Sequence, residues 1–227
     1  MRPEARVAVY YAPQADDPLF AAAATWLGRD PVSDAPAPQP DIPGIAEVTA
    51  EPRIYGFHAT LKPPMRLAPG RQWFDVVTLV RDMAAGIAPF DLPPLAVRDL
   101  HGFLALRETE PSAALQALAD RCVERLDPLR APPSPAELAR RRRSGLTAEQ
   151  DAMLTRWGYP YVFGTWFFHM TLTRRLTAAE KSIYEPAAVA HFNRAVAMPR
   201  RVTDLCLFTQ AEAGAPFVIA ERIPLGG

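Results

Sequence analysis

An excess of charge of either sign is what this chain lacks: 25 basic and 25 acidic side chains leave a formal net charge of zero. A protein that wraps long nucleic acid normally carries a basic excess. RNA is therefore the less favoured partner, while a small anion in a local pocket stays open. Cysteine is scarce, with only Cys122 and Cys206, one in an expected helix and one in an expected strand. Their spacing supports neither a disulfide nor a metal site, and they read as buried reduced thiols. No apolar stretch approaches the roughly 18 residues that span a membrane. Residues 1–6 lead into a strand-like run rather than a signal-peptide core. The expectation is a cytoplasmic protein with no membrane partner.

Proline is what the chain has in excess, 25 of 227 residues, about twice the usual share of ~5%. The prolines gather in 31–52, 89–94 and 128–135, which read as rigid connections.

Local pattern predicts the elements between them. Residues 6–12 (RVAVYYA) read as a strand. Asp17 and Pro18 open a helix to about 27, as N-cap and first helical residue. Strands follow at 54–61, 90–97 and 102–106, with a helix at 74–87. The second half makes a second pass. It has helices at 111–126, 135–143 and 147–157, a strand at 167–173, and a helix at 178–197 with Pro186 as a kink site. Strands at 202–209 and 217–223 close the chain.

In each half a strand is followed by a helix and then two strands. The expected fold is α+β, a single bilobal domain over 1–227 with pseudo-symmetric lobes of about 1–110 and 111–227. Each lobe is an antiparallel sheet with helices outside, a Pro/Arg-rich segment at 128–147 connects them, and the cleft between them is the expected ligand site.

The two halves share a motif. Phe57-His58-Ala59-Thr60-Leu61 returns as Phe168-His169-Met170-Thr171-Leu172, in a chain with only 4 histidines. In a strand, residues i and i+2 face the same way, so each copy presents an imidazole and a hydroxyl together. A lone strand histidine is more often structural; two at equivalent repeat positions point to chemistry. Hydrolysis of a phosphodiester, above all a strained cyclic one, needs a base for water and an acid for the leaving oxygen. Two imidazoles near pKa ~6.5 can share those roles. Threonine hydroxyls can hold the non-bridging oxygens as neutral donors. No metal or other cofactor is required. Threonines are poor zinc ligands, and no H-x-H, C-x-x-C, H-E-x-x-H or G-x-S-x-G spacing occurs.

On these motifs the chain resembles the 2H phosphoesterase superfamily, which includes cyclic nucleotide phosphodiesterases and 2′–5′ RNA ligase-like proteins. Tyr55 to Lys62, Gly102 to Leu106, Trp157 to Tyr161 and Phe168 to Thr173 look like the branch found in bacterial phosphonate-utilisation operons. The resemblance implies catalytic roles for His58, His169, Thr60 and Thr171, and a metal-independent reaction on a 2′,3′-cyclic or related phosphate. One departure is Arg174, where that branch is expected to carry glycine.

Four further residues are candidates for substrate binding. Lys62 shares the His58 face if the strand is regular, Tyr11 ends the first strand, and Tyr161 belongs to an aromatic cluster with Tyr159 and Trp166. Arg174 is either a phosphate contact or a surface residue at a strand end. The run Arg140 to Arg143 reads as a helix C-terminus or a phosphate grip. His101 and His191 lack a threonine at i+2 and read as structural or exposed. The leading expectation is a phosphoesterase acting on a small phosphorylated substrate such as a cyclic nucleotide or sugar cyclic phosphate. The alternatives are a non-catalytic nucleotide or RNA-end binding protein and an RNA ligase-like activity.

Overall fold

A computed structural model of the chain describes residues 5–227; Met1 to Glu4, part of the leading segment read above, lie outside the described residues. Strand β1 (Arg6–Tyr11) is followed by helix α1 (Pro18–Leu27). Asp17 caps α1 by accepting from the Leu19 amide, and Gly28 ends it in the left-handed region, so both termini follow the sequence signals. Two short helices, α2 (Ile45–Val48) and α3 (Ala50–Tyr55), wind through the proline-rich stretch. Then come β2 (Ala59–Met65), α4 (Trp73–Ala85), β3 (Phe90–Leu92), β4 (Leu95–Leu100) and β5 (Phe103–Glu108). The second half holds α5 (Ala113–Leu126), α6 (Pro135–Arg142), α7 (Ala148–Trp157), β6 (Met170–Thr171), α8 (Ala178–Val196), β7 (Arg200–Val202), β8 (Asp204–Gln210) and β9 (Val218–Pro224). Reciprocal capping boxes, Ser134 with Glu137, Thr147 with Gln150 and Thr177 with Glu180, start α6, α7 and α8.

The fold is α+β. Seven strands form one antiparallel sheet in the order β4-β5-β6-β2-β1-β8-β9, and β3 pairs with β7 apart from it. The sheet has two halves, β4-β5-β6 and β2-β1-β8-β9, that meet where the motif strands β2 and β6 pair through Ala59 and Met170. These halves do not divide at residue 110. The C-terminal strands β8 and β9 return beside β1, and β4 and β5 of the first half flank β6. Each half of the sheet thus mixes both halves of the chain.

Three strand boundaries differ from expectation. The first motif strand begins at Ala59, because the residues before it wind into α3 and stop at Gly56, φ 72°. It also runs on through Pro63 and Pro64. Register shifts against β1 bulge β2 there, and a bulged position spares the amide that proline lacks. The strand expected at 90–97 breaks into β3 and β4 at Pro93-Pro94. The second motif strand is only two residues by ladder pairing, extended by the Leu172 amide donating to the Leu104 carbonyl at 2.8 Å and the Leu104 amide donating to Thr173 Oγ1 at 3.0 Å.

The two faces of the sheet are chemically distinct. Val7, Val9, Tyr11, Phe57, Ala59, Leu61, Phe168, Met170 and Leu172 point into the main core, where α1, α4, α5 and α8 cover them. Trp26 on α1 is fully buried there and donates to the Leu172 carbonyl at 3.0 Å. The other face carries a smaller cluster of Ala8, Tyr10, Ala12, Cys206, Phe208 and Phe217. Cys122 on α5 and Cys206 on β8 are buried and free. Among the described residues no helix is long and apolar enough to cross a membrane.

Candidate active site

Burial along both motifs alternates strictly. Phe57, Ala59 and Leu61 are buried while His58 and Thr60 keep partial exposure; Phe168, Met170 and Leu172 are buried while His169 and Thr171 keep it. The apolar members commit to the helix-covered core, so the imidazoles and hydroxyls must take the opposite face. Antiparallel pairing at Ala59 and Met170 brings the two motifs side by side. Carried one residue either way, that register sets His58 across from Thr171 and Thr60 across from His169. The four polar side chains form a square, with like residues on its diagonals.

Both rings are held in the same manner. Nδ1 of His58 lies 2.9 Å from the Gly56 carbonyl and Nδ1 of His169 lies 3.2 Å from the Phe167 carbonyl. A carbonyl only accepts, so each Nδ1 carries the proton and each neutral Nε2 is a bare acceptor. Thr60 Oγ1 stands 3.3 Å from His58 Nε2 and donates to it. Gly56 is needed for this arrangement: its φ of 72° is left-handed, and a Cβ there would come within 3.0 Å of Pro31. Buried Arg29 fixes the same approach by donating to the carbonyls of Arg53, Ile54 and Phe217.

The rings sit among aromatics. Tyr10 stacks on His58, and Phe167 stacks on His169 with centroids 4.7 Å apart. Phe103 meets His169 edge-on, and the Arg107 guanidinium lies over Phe167 at 5.3 Å. Burial lowers the His58 pKa to about 4, only partly opposed by the bond to Gly56; a smaller lowering comes from His169. His169 is lowered in the same sense by burial and further by Arg107. Both imidazoles are thus neutral near pH 7 in the unliganded protein, two bare Nε2 acceptors on one face. Among the described residues no group of three or more His, Cys, Asp or Glu side chains is placed to hold a metal ion.

The structure therefore brings His58, Thr60, His169 and Thr171 together. Tyr161 joins them at one remove, edge-on to Phe167, which stacks on His169. Trp166 of the same aromatic cluster ties the motifs together by donating to the Thr60 carbonyl at 2.8 Å. Three other candidates lie elsewhere. Lys62 is buried on the core side, its Nζ 3.1 Å from the Val123 carbonyl and 3.5 Å from Asp127. The β2 bulge is the cause: Tyr10 pairs with Thr60 and Val9 with Lys62, so one residue is skipped and the alternation that linked Lys62 to His58 is lost. Tyr11 is a core residue against Phe168, and its neighbour Tyr10 is the one on the histidine face. Arg174 is tied to Glu180 at 2.9 Å and Glu47 at 3.1 Å, away from the imidazoles. His191 is structural, bonded to the Ala22 carbonyl at 2.8 Å beside Trp26, and His101 is an exposed turn residue. The surface concavities of about 610 Å³ beside Asp91 and Met198, 390 Å³ beside Arg98 and Glu108, 320 Å³ beside Phe90 and Leu118 and 310 Å³ beside Gln14 and Thr203 contain none of the four motif side chains.

Two proteins named ribose 1,5-bisphosphate phosphokinase PhnN are similar to this chain. That of Janthinobacterium sp. (strain Marseille) is 43% identical over 98% of this chain and 51% of its own length. That of Laribacter hongkongensis (strain HLHK9) is 38% identical over 96% of this chain and 51% of its own length. The chain spans about half the length of both relatives. A solved structure of E. coli LigT complexed with 3′-AMP aligns over 99% of both chains at 14% identity with a TM-score of 0.47. The family model DUF1045, described as a protein of unknown function, matches residues 60–218, which run from Thr60 of the first motif through the whole of the second. The match takes in most of the chain, which belongs to the DUF1045 family.

Proposed function

We propose that the chain is a phosphoesterase that hydrolyses a small cyclic phosphodiester by acid–base catalysis on His58 and His169. The observation that carries this reading is the paired arrangement itself. Two His-x-Thr units share one sheet face, each with Nδ1 locked to its own backbone and an unprotonated Nε2 turned to that face, that of His58 accepting from Thr60. A bound phosphodiester brings a negative charge between the rings. That charge favours the protonated form of the imidazole it touches and offsets the burial that keeps both neutral. One ring then serves as acid toward the leaving oxygen, and the other, still neutral, takes the proton of the attacking water. Thr60 and Thr171 turn their hydroxyls to the non-bridging oxygens, which gain charge in the transition state. The proton lost by the attacking water goes to one imidazole, and the proton gained by the leaving oxygen comes from the other.

The relatives' names point to phosphorylated ribose as the substrate class. Their phosphokinase chemistry is assigned in this reading to the half of each relative that this chain does not span, since no Gly-Lys pair, and hence no phosphate-cradling G-x-x-x-x-G-K-[ST] loop, occurs in its sequence. A hydrolase that opens a ribose cyclic phosphate to a monoester would sit naturally beside a kinase for a ribose phosphate. The test is a turnover screen with chelator present, against 2′,3′-cyclic nucleotides, ribose cyclic phosphates and linear diesters. Release of a monoester from a cyclic substrate supports the reading. Tight binding without turnover of any of them would make the protein a nucleotide or RNA-end binder instead.

A further inference from the structure

The histidine-side face of β1 continues beyond Tyr10. Residues 6, 8 and 10 share that face by strand alternation; Ala8 and Tyr10 pack with Phe208 and Phe217, and the Arg6 guanidinium lies over the Phe217 ring at 5.5 Å. Four residues of strand separate Arg6 from Tyr10, about 13 Å along the backbone, and the long arginine side chain shortens the gap. The last turn of α6 delivers Arg140 and Arg141 to the same place, and Arg141 sits over the Tyr159 ring at 4.8 Å. Arg6, Arg66, Arg130, Arg140 and Arg141 line a small concavity of about 50 Å³ in which Glu137 is the one carboxylate.

Two of these cations are already neutralised: Arg66 pairs with Glu137 at 2.9 Å and Arg130 with Asp127 at 2.9 Å. Among the described residues, Arg6, Arg140 and Arg141 have no carboxylate partner; the side-chain bond of Arg6 goes to the neutral Gln210 Oε1 at 2.7 Å. Burial and the neighbouring Arg140 and Arg141 charges both work against the Arg6 cation. Three guanidiniums gathered without a counter-charge repel one another. A phosphate, with its several acceptor oxygens, would relieve that repulsion and take charge-assisted hydrogen bonds from the guanidinium forks.

We propose that Arg6, Arg140 and Arg141 form an anion subsite for a second phosphate group on the ligand whose diester occupies the histidine face. The inference deepens the phosphoesterase reading and rests on it for the identity of the first site. It assigns the substrate to a class: a ribose or nucleoside bearing a cyclic phosphate at one end and a separate phosphate monoester at the other. A mononucleoside cyclic phosphate without the second group would be a poor substrate.

The test is equilibrium binding by calorimetry of adenosine 2′,5′-bisphosphate and adenosine 2′-monophosphate, with inorganic phosphate as a third ligand. Wild-type protein is expected to bind the bisphosphate at least about tenfold more tightly than the monophosphate. In Arg140→Gln/Arg141→Gln, on the exposed end of α6, and separately in Arg6→Gln, the ratio should fall toward one. Inorganic phosphate competing only at millimolar levels would show that the subsite serves a phosphate carried on the ligand rather than the free ion. Equal wild-type affinities for the two nucleotides, no binding of the bisphosphate, or a preference that survives both variants would overturn the subsite. The readout does not involve catalysis. A preserved preference in a protein that turns over no cyclic ester would uphold the subsite and sink the hydrolase reading alone.

Discussion

Tyr10 lies flat against His58, the ring centroids 3.7 Å apart and the planes within 17°. The contact joins β1 to the first motif, because Tyr10 is also the ladder partner of Thr60. It shields one ring face from water and helps hold His58 neutral. Tyr10→Ala, which uncovers that ring face, should therefore raise the His58 pKa from about 4 toward its ordinary value of about 6.5. NMR titration of the His58 ring reads this directly. An unmoved pKa in a folded variant would mean that the stack contributes nothing to the shift.

The same shift makes stability depend on pH. In the unfolded chain His58 takes a proton near pH 6.5, but in the fold only near pH 4. Between those values the unfolded state binds more protons. The contribution of neutral His58 is thus fully present above about pH 6.5 and is lost progressively as pH falls toward 4. Urea denaturation across this window should show a steeper acid loss for wild type than for His58→Gln. Parallel curves would show that His58 is not held neutral.

Substrate charge should move the rate profile. In the free enzyme burial keeps both imidazoles neutral, while in the complex the phosphodiester anion favours the protonated acid. The basic limb of kcat should then lie at higher pH than the basic limb of kcat/KM. Coincident limbs, or a rate that climbs steadily to pH 9, would point to a nucleophile other than water activated by a neutral imidazole.

Thr60 and Thr171 should act through their hydroxyls and not their shape. Thr→Val keeps the volume and is expected to cost on the order of 2–4 kcal/mol in kcat, as for a lost oxyanion donor, whereas Thr→Ser should cost much less. If Val and Ser behave alike at both positions, the threonines are there for strand propensity.

Lys62→Met separates the bulged geometry from a regular strand. Its ammonium is buried against Val123 and Asp127 on the core side, so the variant should keep kcat and KM within about twofold. Asp127 keeps Arg130 at 2.9 Å and Arg156 at 3.4 Å as partners, so loss of the lysine does not leave its carboxylate unpaired. A KM raised tenfold or more would place the lysine on the substrate after all.

The candidate site was legible in the sequence because the apolar residues flanking each histidine fix its face. Phe57, Ala59 and Leu61 can go only to the core, and that sends His58 and Thr60 the other way. Tyr10 was not legible. The run Val7-Ala8-Val9-Tyr10-Tyr11 is buried on both faces, so its alternation carries no phase and either tyrosine could have faced the histidines. Lys62 was misplaced for a different reason: a bulge is a property of two strands paired together and leaves no mark in one of them. Arg174 finds its carboxylate Glu47 across 127 positions of chain, a pairing that local pattern does not encode. The elements were largely correct while the lobe boundary was not, because the return of β8 and β9 to β1 is decided by long-range packing.

The proposed mechanism requires His58 and His169 to work as one catalytic unit. Its most direct test is kcat on the best cyclic phosphodiester, measured in chelator for wild type, His58→Ala, His169→Ala and the double variant, each shown to be folded by circular dichroism. Each single variant should fall at least about 10²-fold, and the double variant should be little worse than the poorer single, as for groups that share one proton transfer. Near-full activity in both single variants would contradict it.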